Sequence, residues 1–133
     1  MQFLIEKQND RLIDLVDKMA KQYSKMRNLY QELAAVYDRA KDSQGADFVD
    51  KQPIYRTCPL ITFVERLGAI TDMYRQELDT KKSLASSTGF SGITTRDEGV
   101  VLLSVWINQP NIVESALHDW DDICSIEMIE DLP

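Results

Sequence analysis

Apolar residues recur at heptad spacing through the start of the chain. Ile5, Leu12, Met19, Met26, Leu33 and Ala40 stand seven apart, and Asn9, Val16, Tyr23, Tyr30 and Tyr37 follow the first five of them by four. These are the d and a positions of a heptad. Leu15, Leu29 and Val36 lie beside the a positions and widen the stripe from a two-stranded seam toward the face of a bundle helix. No Gly or Pro interrupts residues 1–44. The pattern predicts one long helix over 1–42, and about 40 residues at 1.5 Å rise extend roughly 60 Å. So long an apolar stripe must be covered, either by the rest of this chain or by a partner helix.

Residues 43–56 mix polar residues and turn formers with Gly45 and Pro53 and read as a connection. A second helix is expected after Thr57-Cys58-Pro59, where Thr57 can cap and Pro59 fits a first turn that needs no amide donor. Thr62 to Glu65 offers an alternative capping box. Phe63, Leu67, Ile70, Met73, Tyr74 and Leu78 then keep a spacing of three or four, as far as Leu84 and Ala85. The stretch from Ser86 to Thr95 is rich in Ser, Thr and Gly, and Thr95-Arg96-Asp97-Glu98 has the form of a capping box. The run Val100 to Ile107 is β-branched enough to suit a strand, but its acidic first turn and its stop at Asn108-Gln109-Pro110 favour a buried third helix. In the acidic end, 111–133, the apolar residues Ile123, Ile126 or Ile129, and Leu132 stand at helical spacing among carboxylates, as in a short fourth helix or a docking peptide. The expected fold is all-α: a long coiled-coil helix with two or three shorter helices forming a hairpin or bundle, in one domain over 1–133.

With 133 residues, 44% of them apolar, the chain has enough for one core and not for two independent ones. The 22 acidic residues exceed the 15 basic ones, giving a net charge of −7. That balance argues against direct contact with a nucleic-acid backbone. The whole excess lies in 111–133, where Glu114, Asp119, Asp121, Asp122, Glu127, Glu130 and Asp131 meet no Lys or Arg. Such an end is either a solvated tail or a contact for a basic surface. No apolar run approaches the roughly 18 residues of a membrane span, and the two cysteines, Cys58 and Cys124, stand far apart, so neither a membrane anchor nor a disulfide scaffold is expected.

Catalytic constellations are missing. No GxxxxGK[ST], GxGxxG or GxSxG occurs, which removes the phosphate cradle and the nucleophile elbow. His118 stands among Asp119, Asp121 and Asp122, a group that is solvated far more often than metal-bound. Cys58 at a helix start could have an activated thiol, but the one histidine is remote in sequence. No catalytic residue, cofactor or metal is therefore expected. What remains are surfaces: the row Tyr23, Tyr30, Tyr37, which suits either internal packing or a partner helix, and Trp106, which suits a core anchor or an interface.

At these residues the sequence resembles the cyclin-dependent kinase 2-interacting proteins, from Thr57 to about Ser115. The matching elements are Thr57-x-Pro59 with Phe63, then Met73-Tyr74-Arg75-x-Glu77-Leu78 with Lys81 and Lys82, and finally Leu103-Ser104-x-Trp106-x-x-Gln109-Pro110 with Val113-Glu114-Ser115. The spacing of the first two agrees without a gap, whereas 83–100 matches poorly and the first helix is similar in character only. The family's further N-terminal region has no counterpart here, as in a short member or a piece of a longer chain, and the acidic end matches no family pattern. The resemblance implies a nuclear, non-enzymatic adaptor that pairs with a helical partner and attaches to a hexameric AAA ATPase of the ribosome-maturation type. It also implies links to cell-cycle kinases, DNA replication and genome maintenance.

The residues expected to meet partners are Val16, Met19, Tyr23, Met26, Tyr30, Leu33 and Tyr37 on the long helix, and Pro59, Phe63, Met73, Tyr74, Arg75, Leu78, Trp106, Gln109 and Pro110 in the elements that close the bundle or present a docking face. A self-associating coiled coil and a kinase scaffold without any ATPase are the alternatives. Tyrosine at a and methionine at d suit the first of these less well than β-branched a and Leu d.

Overall fold

The computed structural model describes residues 2–54, 56–86 and 89–128, with the backbone alone for residues 2–7 and 91. The protein is all-α. Its helices are α1 (Gln2–Gln44), α2 (Ala46–Lys51), α3 (Leu60–Ala85), α4 (Arg96–Asn108) and α5 (Glu114–Glu127), with a 3-10 turn at Phe90–Gly92. Ile129 and Leu132, expected on the last helix, lie outside the described residues.

The local signals explain most of the boundaries. α1 stops where Gly45 takes φ +89, a region open to glycine at little cost. α2 then folds inside the stretch expected to be a plain connection. Its six residues are too few for a periodic signal, and what holds it is Val49, buried completely. α3 begins at Leu60, with Pro59 just before it, so neither proposed cap operates: the Thr62 amide bonds to the Pro59 carbonyl at 3.1 Å and Thr57 is engaged elsewhere. At α4 the capping box forms. The Glu98 amide donates to Thr95 Oγ1 at 3.2 Å, while the Glu98 carboxylate reaches back one residue further than usual, to the Thr94 amide at 3.0 Å. The Thr94 amide first, then the Thr94 hydroxyl, hold the Glu98 carboxyl below its ordinary pKa. α4 ends with Gln109 in the left-handed region at φ 46, followed by Pro110, which cannot continue a helix.

Contacts gather into two compact units. The first joins the residues up to Lys25 with Met73–Ile112. Its core is Val16, Leu78 and Ala85, with Leu12, Met19, Ala20, Tyr23 and Trp106 packed against them. The second joins Met26–Asp72 with the segment from Val113 onward. There Val49, Leu60 and Val64 are surrounded by Tyr30, Leu33, Tyr37 and Ala40. Tyr30 lies over Gly68, whose missing Cβ would stand 3.0 Å from the ring. Tyr30 meets Gly68 and Tyr37 lies near Glu65, so α1 and α3 run antiparallel within the second unit.

Candidate functional site

The resemblance motifs of the first unit assemble around one buried ion pair. Glu77 and Lys81 are a helical turn apart on α3 and both are buried, yet Lys81 Nζ stands 2.9 Å from Glu77 Oε1. Every strong demand of the pair is met. Lys81 also donates to the Trp106 carbonyl at 3.1 Å and lies 4.8 Å from the centroid of the Trp106 indole. That carbonyl belongs to the last turn of α4, which has no acceptor-satisfying amide of its own. The other carboxylate oxygen takes the Asn111 amide at 3.3 Å and the Asn111 Nδ2 at 3.0 Å, and Nδ2 also meets Thr80 Oγ1 at 2.7 Å. Phe90 closes the indole edge-on, with centroids 6.2 Å apart. A buried charge is tolerable only when paired and hydrogen-bonded in this way.

This network accounts for the motif Trp106-x-x-Gln109-Pro110 physically. Lys81 clamps the end of α4 and Asn111 clamps the turn after it. Gln109 and Pro110, exposed themselves, supply the left-handed stop between the two clamps. Glu77, Lys81 and Asn111 were absent from the residues expected at a site. Glu77 and Lys81 sit a turn apart on α3, but an i, i+4 Glu–Lys pair is usually a solvated surface pair; only burial distinguishes this one.

α4, clamped in this way, has no buried residue. Val100, Val101, Leu103 and Ile107 are each half or more exposed, so the helix expected to be buried shows an apolar face to the outside. Beside its first turns an open groove of about 570 Å³ runs between Gly89, Gly92 and Ile93 on one side and Asp97, Glu98, Val101 and Leu102 on the other.

The second unit has its own polar centre, at the acidic end of the chain. Glu127, the last residue of α5, is only 3% exposed. Its carboxylate accepts the successive amides of Arg56, Thr57 and Cys58 at 2.9, 2.7 and 2.9 Å and the Thr57 hydroxyl at 2.6 Å. Consecutive amides turned toward one point form an anion cradle, and here the chain fills it with its own carboxylate. The Thr57 hydroxyl first, then the three amides, pull the Glu127 pKa down to about 2. Phe63 and Trp120 meet edge-on at 6.1 Å. The acidic end is thus a docked helix through Glu127, with Asp121 and Asp122 exposed on it.

The expected partner-facing residues divide accordingly. Val16 is buried, while Met19 and Tyr23 pack on the first core and Tyr30, Leu33 and Tyr37 on the second; Met26 is half-buried. The heptad seam therefore packs against the chain's own helices, because α3 is long enough, at 26 residues, to supply apolar neighbours to both cores. Phe63 and Leu78 are buried and Pro59, Met73, Tyr74 and Trp106 half-buried, whereas Arg75 is exposed and bonds Asp79 at 3.3 Å. The large apolar residues that α1 leaves exposed are Ile13 and Leu15 in the first unit and Leu29 and Val36 in the second.

His118 is exposed and Cys58 and Cys124 are free thiols, with burial raising the Cys124 pKa. Among the described residues no group of three or more His, Cys, Asp or Glu could hold a metal ion, and no helix is long and apolar enough to cross a membrane. No family model, curated protein or solved structure matches the chain.

Proposed function

We propose that this protein is a non-enzymatic nuclear adaptor. It pairs with the long helix of a second protein and attaches to a hexameric AAA ATPase acting in large ribosomal subunit maturation and replication-linked remodelling. The observation that carries pairing is the outer flank of α1 in the second unit, where Leu29 and Val36 are 62% and 43% exposed and one heptad apart. Apolar side chains repeating every seven residues on the outside of a helix are what a second helix packs against. The ATPase, the nucleus and the link to cell-cycle kinases rest on the resemblance over Thr57 to Ser115. A binding role also agrees with the polar centres of both units, whose carboxylates and amines are spent on the chain's own backbone and side chains.

The test is affinity capture from nuclear extract of the wild-type chain beside the double variant Leu29→Asp, Val36→Asp, with co-purifying proteins quantified by mass spectrometry. Both positions are exposed, so helicity by circular dichroism stays unchanged. An AAA ATPase and a small helical protein recovered near one-to-one with the wild type, and lost with the variant, is the expected result. Equal recovery with both chains, or kinases alone, sinks this assignment of the joint.

A further inference from the structure

We propose that Cys58 and Cys124 form a reversible disulfide that fastens α5 to the segment before α3 when the surroundings turn oxidising. They are the two cysteines of the chain. Both are free and half-buried, and both belong to the second unit. Contacts on either side set them opposite one another. α5 turns Leu117, Trp120, Cys124 and Glu127 inward at intervals of three and four. Arg66 pairs with Asp119 at 3.7 Å, Phe63 meets Trp120 edge-on, and the amides of 56–58 bond to Glu127. The stretch 56–66 and α5 therefore run antiparallel, and Cys124, between Trp120 and Glu127 on the inner face, lies opposite the stretch between Phe63 and Cys58.

The Glu127 clamp narrows the placement. A helical side chain leans toward the N-terminus of its helix and covers the turn before its own Cα, which here is the turn that holds Cys124. The Cys58 amide stands 2.9 Å from the carboxylate so directed. Cys58 Sγ is 3.5 Å from the Thr57 hydroxyl, which donates to the same carboxylate oxygen at 2.6 Å. Both cysteines thus flank one carboxylate. Burial keeps the Cys124 thiol protonated to higher pH, so Cys58 is the first nucleophile. Its thiolate attacks a small-molecule disulfide, oxidised glutathione, forming a mixed disulfide and releasing one glutathione thiolate; Cys124 then displaces the second. The two protein thiols lose a pair of electrons and their two protons, and glutathione takes up both and leaves as two thiols. Excess reduced glutathione reverses the reaction, so in a reducing compartment the clasp stays open until the poise shifts.

The test equilibrates the full chain at neutral pH in glutathione buffers of graded ratio, both native and in urea, followed by acid quenching, thiol blocking and non-reducing tryptic mass spectrometry. Cleavage after Arg56, Arg66 and Arg96 makes the product one linked pair of peptides, 57–66 with 97–133. The thiols are expected to be about 10- to 1,000-fold easier to oxidise in the native chain than in the unfolded one, the factor by which a disulfide that suits the fold stabilises it. Amide exchange in the last turn of α5 slows on oxidation, and the faster exchange that Glu127→Gln causes there is reversed by it. Cys58→Ser and Cys124→Ser each abolish the link and the change in exchange. Glutathione adducts without the linked pair, thiols no easier to oxidise native than in urea, or α5 exchange indifferent to oxidation each overturns the inference. The isolated chain and glutathione suffice, so the clasp can fail independently of the adaptor reading.

Discussion

Lys81 binds Trp106 twice, through the backbone carbonyl at 3.1 Å and over the indole face at 4.8 Å from its centroid. The same ammonium holds Glu77, and Glu77 holds Asn111, so both ends of the turn after α4 are tied to α3. Where α4 presents its apolar face therefore depends on four side chains, three of which are polar.

Removing one member of this group leaves another buried and unpaired. Lys81→Met is expected to cost about 3–5 kcal/mol, the usual penalty for an orphaned buried charge. Adding Glu77→Leu to it recovers part of that loss, because the carboxylate left behind is the main penalty. Urea unfolding of the two single variants and the double variant measures the coupling, and simple additivity would mean that the pair does not act as a unit.

Glu127 makes the docking of α5 sensitive to acid. Its folded pKa of about 2 lies below the ordinary carboxylate value, so its contribution is complete above roughly pH 4.5 and is lost as pH falls toward 2. Glu127→Gln removes that contribution at neutral pH. The gap between the melting temperatures of wild type and variant is expected to narrow through this window and close at its lower end; a gap independent of pH would refute the linkage.

Tyr37 donates to Asp50 Oδ1 at 2.6 Å, and this bond, ahead of burial and the nearby carboxylates, pushes its pKa up to about 12. Phenolate absorbance should show a late-ionising tyrosine that is lost in Tyr37→Phe. In Asp50→Asn it moves down toward 10. The sign for stability follows: the contribution is complete below about pH 10 and is lost as pH rises through 12.

Two glycines separate a hard contact from a soft one. A Cβ on Gly89 would collide with the Leu84 carbonyl, and since backbone has to move, Gly89→Ala is expected to cost about 3 kcal/mol or more. At Gly68 the obstacle is the end of the Tyr30 ring, 3.0 Å away. A small ring shift there is offset by helix propensity, worth up to about 1 kcal/mol, so Gly68→Ala stays within about 1 kcal/mol of the wild type, whereas Gly68→Leu loses about 1–3 kcal/mol. Thermal unfolding orders the three.

Local chemistry already specified the all-α class, the long first helix and its end at Gly45, the Thr95–Glu98 box and the stop before Pro110, because heptad spacing, caps and a left-handed residue act within a few positions of themselves. Tertiary structure decided the rest. Which face of α1 is spent internally depended on the reach of α3. α2 exists because Val49 finds a core, and Glu77, Lys81 and Glu127 became central because Asn111, Trp106 and the amides of 56–58, tens of residues away in the chain, bond to them. Charge and polarity read the same along a sequence whether a side chain is solvated or buried, and only the fold determines which groups must be satisfied by one another.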